Sequence, residues 1–253
     1  MTDEYIMKII DKYTHGSQHE EAVRKAKSAL DVIVKEWAGD AFLSTSISGS
    51  LAKGTATTLG SDFDLFVSLS PDTTNSLREL YNMLFSRLSS KGYTVKKQNV
   101  SIGVVVNSLS ADVIPAKKHH GHTNDHSIYV SKSDSWTQTN VEEHINIVRN
   151  SGRINEIKIT KIWSKLHRLD FPSFYLELAV IDALKGKPRQ QLDLNFQHIL
   201  EFLSTEIPER RFVDPANTNN VISDYMLTNA EKLVIASKAE EGYIADKWST
   251  VIW

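Results

Sequence analysis

Two aspartates stand two positions apart where an apolar run begins, in the stretch "SDFDLFVSL" (61–69). Side chains two apart on a strand point to the same face, so Asp62 and Asp64 are expected to lie side by side. Neighbouring carboxylates repel each other unless a divalent cation lies between them, and Mg²⁺ prefers oxygen ligands of this kind. The pair therefore predicts a magnesium site at the start of this strand, with Mn²⁺ as a substitute.

Small residues upstream indicate that the metal acts on a phosphate. Gly49 and Ser50 follow a strand-like segment, where a glycine lets backbone N–H groups approach an anion and a serine hydroxyl adds a donor. Asp112, in the apolar segment "SADVIPA" (110–116), faces away from Val113 and is expected to join the first two aspartates. Such a set suits nucleotidyl transfer with two metal ions, which activate the attacking hydroxyl and stabilise the departing pyrophosphate. Each motif alone is also common at strand ends and in turns.

The residues with this chemistry need a sheet to position them, and the apolar patterns predict one. Alternating or β-branched segments predict strands, at 42–50, 62–70, 93–100, 101–107 and 110–118. Apolar residues at helical spacing predict helices, at 18–37, 73–90, 141–150, 152–169, 173–185, 191–204 and 228–246. The polar stretch 117–140 is expected to be a long surface loop.

The order of these elements predicts an α+β fold in two lobes. Leading helices over 1–40 are expected to bridge the lobes. A small lobe with a mixed sheet is expected over 41–140, and a helical lobe over 141–253.

Composition excludes several classes of protein. The chain has 253 residues, of which 41% are hydrophobic, a net charge of −2 and no cysteine. The absence of cysteine excludes disulfides, thiolate zinc sites and cysteine nucleophiles. The first residues are not a secretion signal, and no apolar run reaches the roughly 18–20 residues that cross a bilayer. We therefore expect a cytoplasmic protein without a membrane partner.

Several motifs together resemble one superfamily. The stretch "GSLAKGT…SDFDL" is similar to the signature of the DNA polymerase β-like nucleotidyltransferases. Within that superfamily it most resembles the branch of oligoadenylate synthases, archaeal-type (class I) CCA-adding enzymes and bacterial cGAS-like enzymes (CD-NTases). Three further segments share the resemblance, namely "EIKITKIWSK" (156–165), "FPSFYLEL" (171–178) and "DPANTNNVI" (214–222). The resemblance covers about residues 18–253.

The resemblance implies a bilobed enzyme that binds a nucleotide in the cleft between its lobes. It implies that Asp62, Asp64 and Asp112 coordinate two Mg²⁺ ions. It also implies that Gly49 and Ser50 bind the β- and γ-phosphates. Lys161 and Ser173 are implied to hold the triphosphate tail. From the residues alone, Lys161 would be a solvated lysine on a helix face and Ser173 a helix N-cap.

The function implied is template-independent joining of nucleoside triphosphates into a short cyclic or linear oligonucleotide, with release of pyrophosphate. The setting implied is bacterial antiphage defence, where a separate effector protein reads the product. An alternative is synthesis of linear DNA or RNA from (d)NTPs on a primer or on a protein hydroxyl, with Tyr225 and Tyr243 as candidates. A CCA-type enzyme is disfavoured, because we expect no extended tRNA-binding domain and the net charge is slightly negative. A small-molecule nucleotidyltransferase and an inactive nucleotide-binding module stay open as well.

Other features leave their roles open. His119, His122 and His126 have a spacing that suits a metal, but zinc is disfavoured in a polar loop without cysteine, and a substrate-facing loop is favoured. Tyr129 and Trp136 could stack on a base. The sequence does not predict base preference or oligomeric state.

Overall fold

A computed structural model describes residues 2–60 and 62–253. The longer helices of this part of the chain are α1 (Asp3–Lys12), α2 (Ser17–Ala38), α4 (Leu77–Ser90), α5 (Val141–Asn150), α6 (Ile154–Leu166), α7 (Ser173–Ala183), α8 (Leu192–Thr205) and α10 (Asn229–Tyr243). Two short helices are α3 (Gly49–Lys53) and α9 (Ile222–Tyr225). The strands are β1 (Phe42–Ser48), β2 (Phe63–Leu69), β3 (Thr94–Lys97), β4 (Ile102–Val106), β5 (Leu109–Lys118), β6 (His126–Val130), β7 (Ser135–Thr139), β8 (Val213–Asp214) and β9 (Asn217–Val221).

The described chain divides into two compact units. The sheet unit comprises residues 15–52 and 62–145, and the helical unit comprises residues 2–14, 53–60 and 146–253. The α+β class and the mixed sheet predicted from the sequence are confirmed. Each unit is built from separate segments of the sequence, whereas each predicted domain is one continuous segment. The bounds of the predicted domains stay a prediction.

The sheet of the sheet unit follows the order β1-β2-β5-β4-β3, with β6 paired to β5 and β7 paired to β6. The pairing of β2 with β5 is parallel, and the other pairings in this sheet are antiparallel. In the parallel pair, Asp64 is the partner of Asp112, and on the other side of β2 it is the partner of Ser48.

One face of this sheet packs against α2 and α4. Alternate residues of β2, including Leu65 and Val67, are fully buried together with Leu30 of α2 and Leu84 of α4. Because side chains alternate along a strand, this packing leaves Asp64 on the opposite face. The hydrophobic core therefore determines which face of the sheet carries the carboxylates.

The helical unit has a core of its own. Trp163 of α6, Tyr175 of α7 and Phe196 of α8 are fully buried in it, and α10 packs alongside α8. Among the helices that the structure describes, none is both long enough and apolar enough to cross a bilayer.

The prediction of a surface loop over 117–140 is wrong for most of that stretch. Strand β5 continues to Lys118, and β6 and β7 form an antiparallel hairpin that extends the sheet. The hairpin was not predicted because its polar residues lack the apolar alternation that indicates a strand. His126 and Thr139 are nevertheless buried, at 6% and 8% exposure.

Leu65→Ala should lower the free energy of unfolding by about 2–5 kcal/mol, because it removes a fully buried side chain from the strand that carries Asp64. Urea denaturation followed by circular dichroism measures the change. Leu43→Ala is the matched control, since Leu43 lies on β1 and is 46% exposed. A loss below about 1 kcal/mol at Leu65, or equal losses at both positions, would contradict this description of the core.

Candidate functional site

Asp64 and Asp112 are direct neighbours in the sheet unit. They are partners in the parallel pairing of β2 and β5, and both are partly buried. Residues on either side of Asp112, Ala111 and Val113, belong to the core, so both carboxylates lie on the face away from it. Paired strands lie about 4.8 Å apart, which brings two like charges close together.

Gly49 packs directly on the carboxylate of Asp64. Its φ is +59°, and a Cβ added there would lie 1.7 Å from Oδ2 of Asp64. No other residue type fits this close approach without moving the carboxylate. The glycine predicted from the sequence as a phosphate-binding residue therefore has a second role in the fold, and Ser50 follows it in α3.

The environment of Asp112 disfavours its charged form. Oδ1 of Asp112 accepts a hydrogen bond from Nε2 of Gln98 at 2.8 Å, and Oε1 of Gln98 accepts one from Oγ of Ser101 at 2.8 Å. Burial raises the pKa of Asp112, and the negative charge of nearby Asp62 raises this pKa further. Asp62 lies immediately before β2 and is exposed.

These carboxylates fit a magnesium site that substrate phosphates complete. Among the residues that the structure describes, no group of three or more histidine or acidic side chains forms a metal cage. Mg²⁺ is usually held by one or two carboxylates together with water and phosphate oxygens, and it does not need such a cage. Asp64 and Asp112 supply two adjacent carboxylates, with Asp62 close enough to act on Asp112. The metal-binding roles of the three aspartates stay predictions.

A hollow of about 300 Å³ opens on the face of the sheet that carries Asp64. Phe66 and Ser68 of β2 line it, together with Lys118 of β5 and His126 of β6. Phe66 and Ser68 follow Asp64 by two and four residues, so the strand places them on the same face. The lining combines apolar surface with hydrogen-bonding groups, as small-molecule sites do.

The histidines of the β5–β6 region bond to neighbouring polar groups. His126 contacts Oγ of Ser68 through Nε2 and the backbone oxygen of Asn124 through Nδ1, each at 2.8 Å. Burial lowers the pKa of His126, which favours its neutral form. Nε2 of His119 lies 2.8 Å from Oγ of Ser127. These contacts link the histidines to β2 and β6.

The two aromatic residues of this region differ in environment. The ring of Tyr129 is buried, and its hydroxyl donates to Oδ1 of Asp134 at 2.6 Å. This hydrogen bond connects β6 to the β6–β7 turn. Trp136 is 62% exposed.

Lys161 lies in the interior of the helical unit. Its Nζ donates to Oε1 of Glu177 at 2.6 Å and to Oγ1 of Thr55 at 3.0 Å. Lys53 bonds the other oxygen of Glu177 at 2.8 Å. The alternative of a solvated lysine on a helix face is therefore wrong, because Lys161 is only 7% exposed.

Ser173 is the first residue of α7 and is exposed. Pro172 occupies the N-cap position, so the alternative that Ser173 is the N-cap is wrong. The next residue, Phe174, has its ring centroid 4.3 Å from Nζ of Lys53. The role of Ser173 in binding phosphate stays a prediction.

The sequence analysis assigned no role to three residues of the cluster around Lys161, namely Lys53, Thr55 and Glu177. Lys53 and Thr55 lie inside the quoted motif "GSLAKGT" without an assigned role. Glu177 carries the one detectable signal, because it is an acidic residue in the apolar stretch "SFYLELAVIDA" of α7. A buried acidic residue generally has a charged or hydrogen-bonding partner.

The fold is similar to that of CD-NTases, which are bilobed proteins. The resemblance to this branch that the sequence indicated is confirmed. The cyclic AMP-AMP-AMP synthase of Escherichia coli (strain MS 115-1) is 26% identical over 233 residues, covering 75% of this chain and 72% of the relative. The structure of E. coli MS115-1 CdnC with ATP matches with a TM-score of 0.79 at 19% identity, over 99% of this chain and 95% of that chain. Bradyrhizobium diazoefficiens CdnG with GTP matches with a TM-score of 0.79 at 11% identity, over 98% and 94%. No protein-family model matches the chain.

Gly49→Ala should destabilise the protein by about 1–3 kcal/mol, because it adds backbone strain and forces Asp64 aside. Urea denaturation measures the loss. The double variant Gly49→Ala/Asp64→Ala should recover the part that is due to the clash. Gly60→Ala is the control, because nothing lies within 4 Å of its added Cβ. A Gly49→Ala variant as stable as the control would show that this packing is not required.

Asp112→Asn should stabilise the metal-free protein at neutral pH. The raised pKa of Asp112 means that folding disfavours its ionised form, so the wild type loses stability as pH rises through that pKa. The advantage of the variant should therefore fade as pH falls toward about 4, the ordinary range of an aspartate. Thermal unfolding in EDTA across this range measures the difference, with Asp72→Asn, at an exposed position, as control. An advantage that does not depend on pH would contradict the electrostatic explanation.

Proposed function

We propose that the protein is a nucleotidyltransferase that joins nucleoside triphosphates into a short cyclic oligonucleotide and releases pyrophosphate. The observation that carries this proposal is the pairing of Asp64 with Asp112 on one face of the sheet, with Gly49 packed on Asp64. The similarity to a cyclic AMP-AMP-AMP synthase and to CD-NTases in structures with ATP and GTP supports the same reaction and the same class of substrate.

In this proposal Asp62, Asp64 and Asp112 hold two Mg²⁺ ions together with the triphosphate, and Mn²⁺ can replace them. Bound magnesium would lower the pKa of the attacking hydroxyl and neutralise the charge that develops on the leaving pyrophosphate. The carboxylates would hold the cations in the positions from which these contact the phosphate that is attacked, and the mutual repulsion of the carboxylates is relieved when cations are present. Gly49 and Ser50 hold the β- and γ-phosphates through backbone and hydroxyl donors.

Residues of the helical unit are proposed to bind the triphosphate as well. The ammonium of Lys161 and the exposed hydroxyl of Ser173 are donors suited to phosphate oxygens. The hollow beside Phe66 and Ser68 offers a nucleoside both apolar contact and hydrogen-bonding groups.

The biological setting follows from the similarity to CD-NTases. We propose a cytoplasmic enzyme of antiphage defence whose oligonucleotide product is read by a separate effector protein. A protein-primed linear product is the alternative: Tyr225, one of the candidate primers, is 60% exposed, although burial raises the pKa of its hydroxyl.

Incubation with each labelled NTP and dNTP, with Mg²⁺ or Mn²⁺, tests the proposal. A cyclic product is small and resists phosphatase, whereas a linear product loses its terminal phosphates. Label that stays on the protein after denaturation and is released by protease would indicate priming from a side chain and would contradict the cyclic product.

Asp64→Asn should lower the rate of product formation at least about a hundredfold, because the carboxylate that orients the metal and phosphate is lost. Asp72→Asn, which changes an exposed aspartate in the same way, should leave the rate unchanged. Initial rates at saturating NTP measure both. If the Asp64→Asn enzyme keeps more than about a tenth of the wild-type rate, the proposed catalytic site is wrong.

A further inference from the structure

Glu177 is a fully buried carboxylate at the centre of the helical unit. Its exposure is 0%, and Lys161 and Thr55 both donate to its Oε1, at 2.6 Å and 2.7 Å. Lys53 donates to its Oε2 at 2.8 Å. The two lysines are themselves only 7% exposed. Three donors from two distant segments of the chain therefore converge on one carboxylate.

The charge of Glu177 depends on these partners. Burial by itself would raise the pKa of Glu177, but the positive charges of Lys161 and Lys53 and their hydrogen bonds outweigh it and lower this pKa below its ordinary value. Glu177 is therefore ionised at neutral pH, and it forms salt bridges with Lys53 and Lys161. Replacing one partner would leave a buried charge uncompensated, which is strongly unfavourable.

Glu177 links the segments that carry the proposed triphosphate-binding residues. Lys53 and Thr55 follow Ser50 by three and five residues in the same motif. Lys161 is itself a proposed phosphate ligand on α6. Ser173 lies four residues before Glu177 on α7, so the two residues share one face of that helix.

Stability alone does not account for this arrangement. A buried ion pair is often no more stabilising than well-packed apolar residues of similar volume. The same unit contains a second buried acidic residue, Glu156, which accepts a hydrogen bond from Arg153 at 3.1 Å. The guanidinium of Arg153 also bonds the backbone oxygens of Leu184 and Pro188, so that pair holds a loop. The partners of Glu177 are instead lysines of the proposed phosphate-binding segments.

We propose that Glu177 is a positioning residue of the triphosphate site, which keeps Lys161 charged and holds its ammonium in place while Lys53 and Thr55 complete the hydrogen bonds of the carboxylate. An ammonium group has three N–H donors, so a phosphate oxygen can replace the Thr55 hydroxyl as one partner of Lys161 while the bond to Glu177 stays. Glu177 acts through Lys161 and does not itself contact the nucleotide. This inference rests on the proposed function.

Glu177→Gln keeps the volume of the side chain and removes its charge, which leaves two buried ammonium groups without their carboxylate. Without the carboxylate, burial and mutual repulsion make it unfavourable to keep both ammonium groups charged, and loss of a proton at alkaline pH relieves this cost. The charged groups that act on this position are Lys161 of α6, Lys53 of the motif and Glu177 of α7. The variant should therefore bind triphosphate less well at alkaline pH than at acidic pH.

Calorimetric titration with the ribonucleoside triphosphate that the wild type binds most tightly tests this at pH 6.5 and pH 8.5. Relative to the wild type, the Kd of Glu177→Gln should rise less than about threefold at pH 6.5 and more than about thirtyfold at pH 8.5 as the ammonium charge is lost. Glu156→Gln is the matched control, because it removes a buried carboxylate paired with an arginine that does not titrate. Its Kd should stay within about twofold of the wild type at both pH values.

A second variant tests the same inference if Glu177→Gln folds poorly. Glu177→Gln/Lys53→Met removes one buried ammonium together with the carboxylate, so the remaining Lys161 no longer faces a like charge and should keep its proton to higher pH. Its Kd at pH 8.5 should recover to within about fivefold of the wild type.

The outcomes separate the inference from the function on which it rests. If the wild type binds a triphosphate and Glu177→Gln behaves like Glu156→Gln, or weakens binding equally at both pH values, the positioning role is wrong and the proposed function stands. If the wild type binds no nucleoside triphosphate, the proposed function itself is wrong.

Discussion

The parallel pairing of β2 with β5 is the constraint on which the site depends. It places Asp64 directly beside Asp112, although two carboxylates so close together repel each other. The core on the opposite face of the sheet keeps them there, because a shift of one residue in either strand would turn its aspartate into the core and expose Leu65 or Val113. Hydrophobic packing thus offsets an electrostatic repulsion, and burial together with the negative charge of Asp62 also raises the pKa of Asp112.

The helical unit keeps charges in place in a different way. In the sheet unit like charges lie side by side on a partly exposed face, where a cation can reach them. Around Glu177 opposite charges lie together in the interior, where a low dielectric strengthens their attraction and makes an unpaired charge costly. The first arrangement leaves the carboxylates available to a ligand, and the second restricts the lysines to one geometry before a ligand arrives.

Much of the sheet and part of the site could be predicted from the sequence, because both depend on local patterns. The alternation around Asp64 and the apolar neighbours of Asp112 indicate strands and the face on which each aspartate lies. The β6–β7 hairpin was missed because β6 is held by pairing to β5 and β7 by pairing to β6, and not by an apolar pattern of their own. The cluster at Glu177 was missed because it joins residues far apart in the chain, such as Thr55 and Glu177, which are separated by 122 positions. No periodicity in a single sequence encodes such a contact.

The central claim is that Asp64 and Asp112 hold a divalent cation jointly with a triphosphate. Crystals grown with Mn²⁺ and a non-hydrolysable nucleoside triphosphate test it through the anomalous scattering of manganese. We expect a manganese peak about 2.0–2.2 Å from carboxylate oxygens of both aspartates and within ligand distance of a phosphate oxygen. A bound triphosphate without manganese at these two carboxylates, or with manganese bound elsewhere, would contradict it.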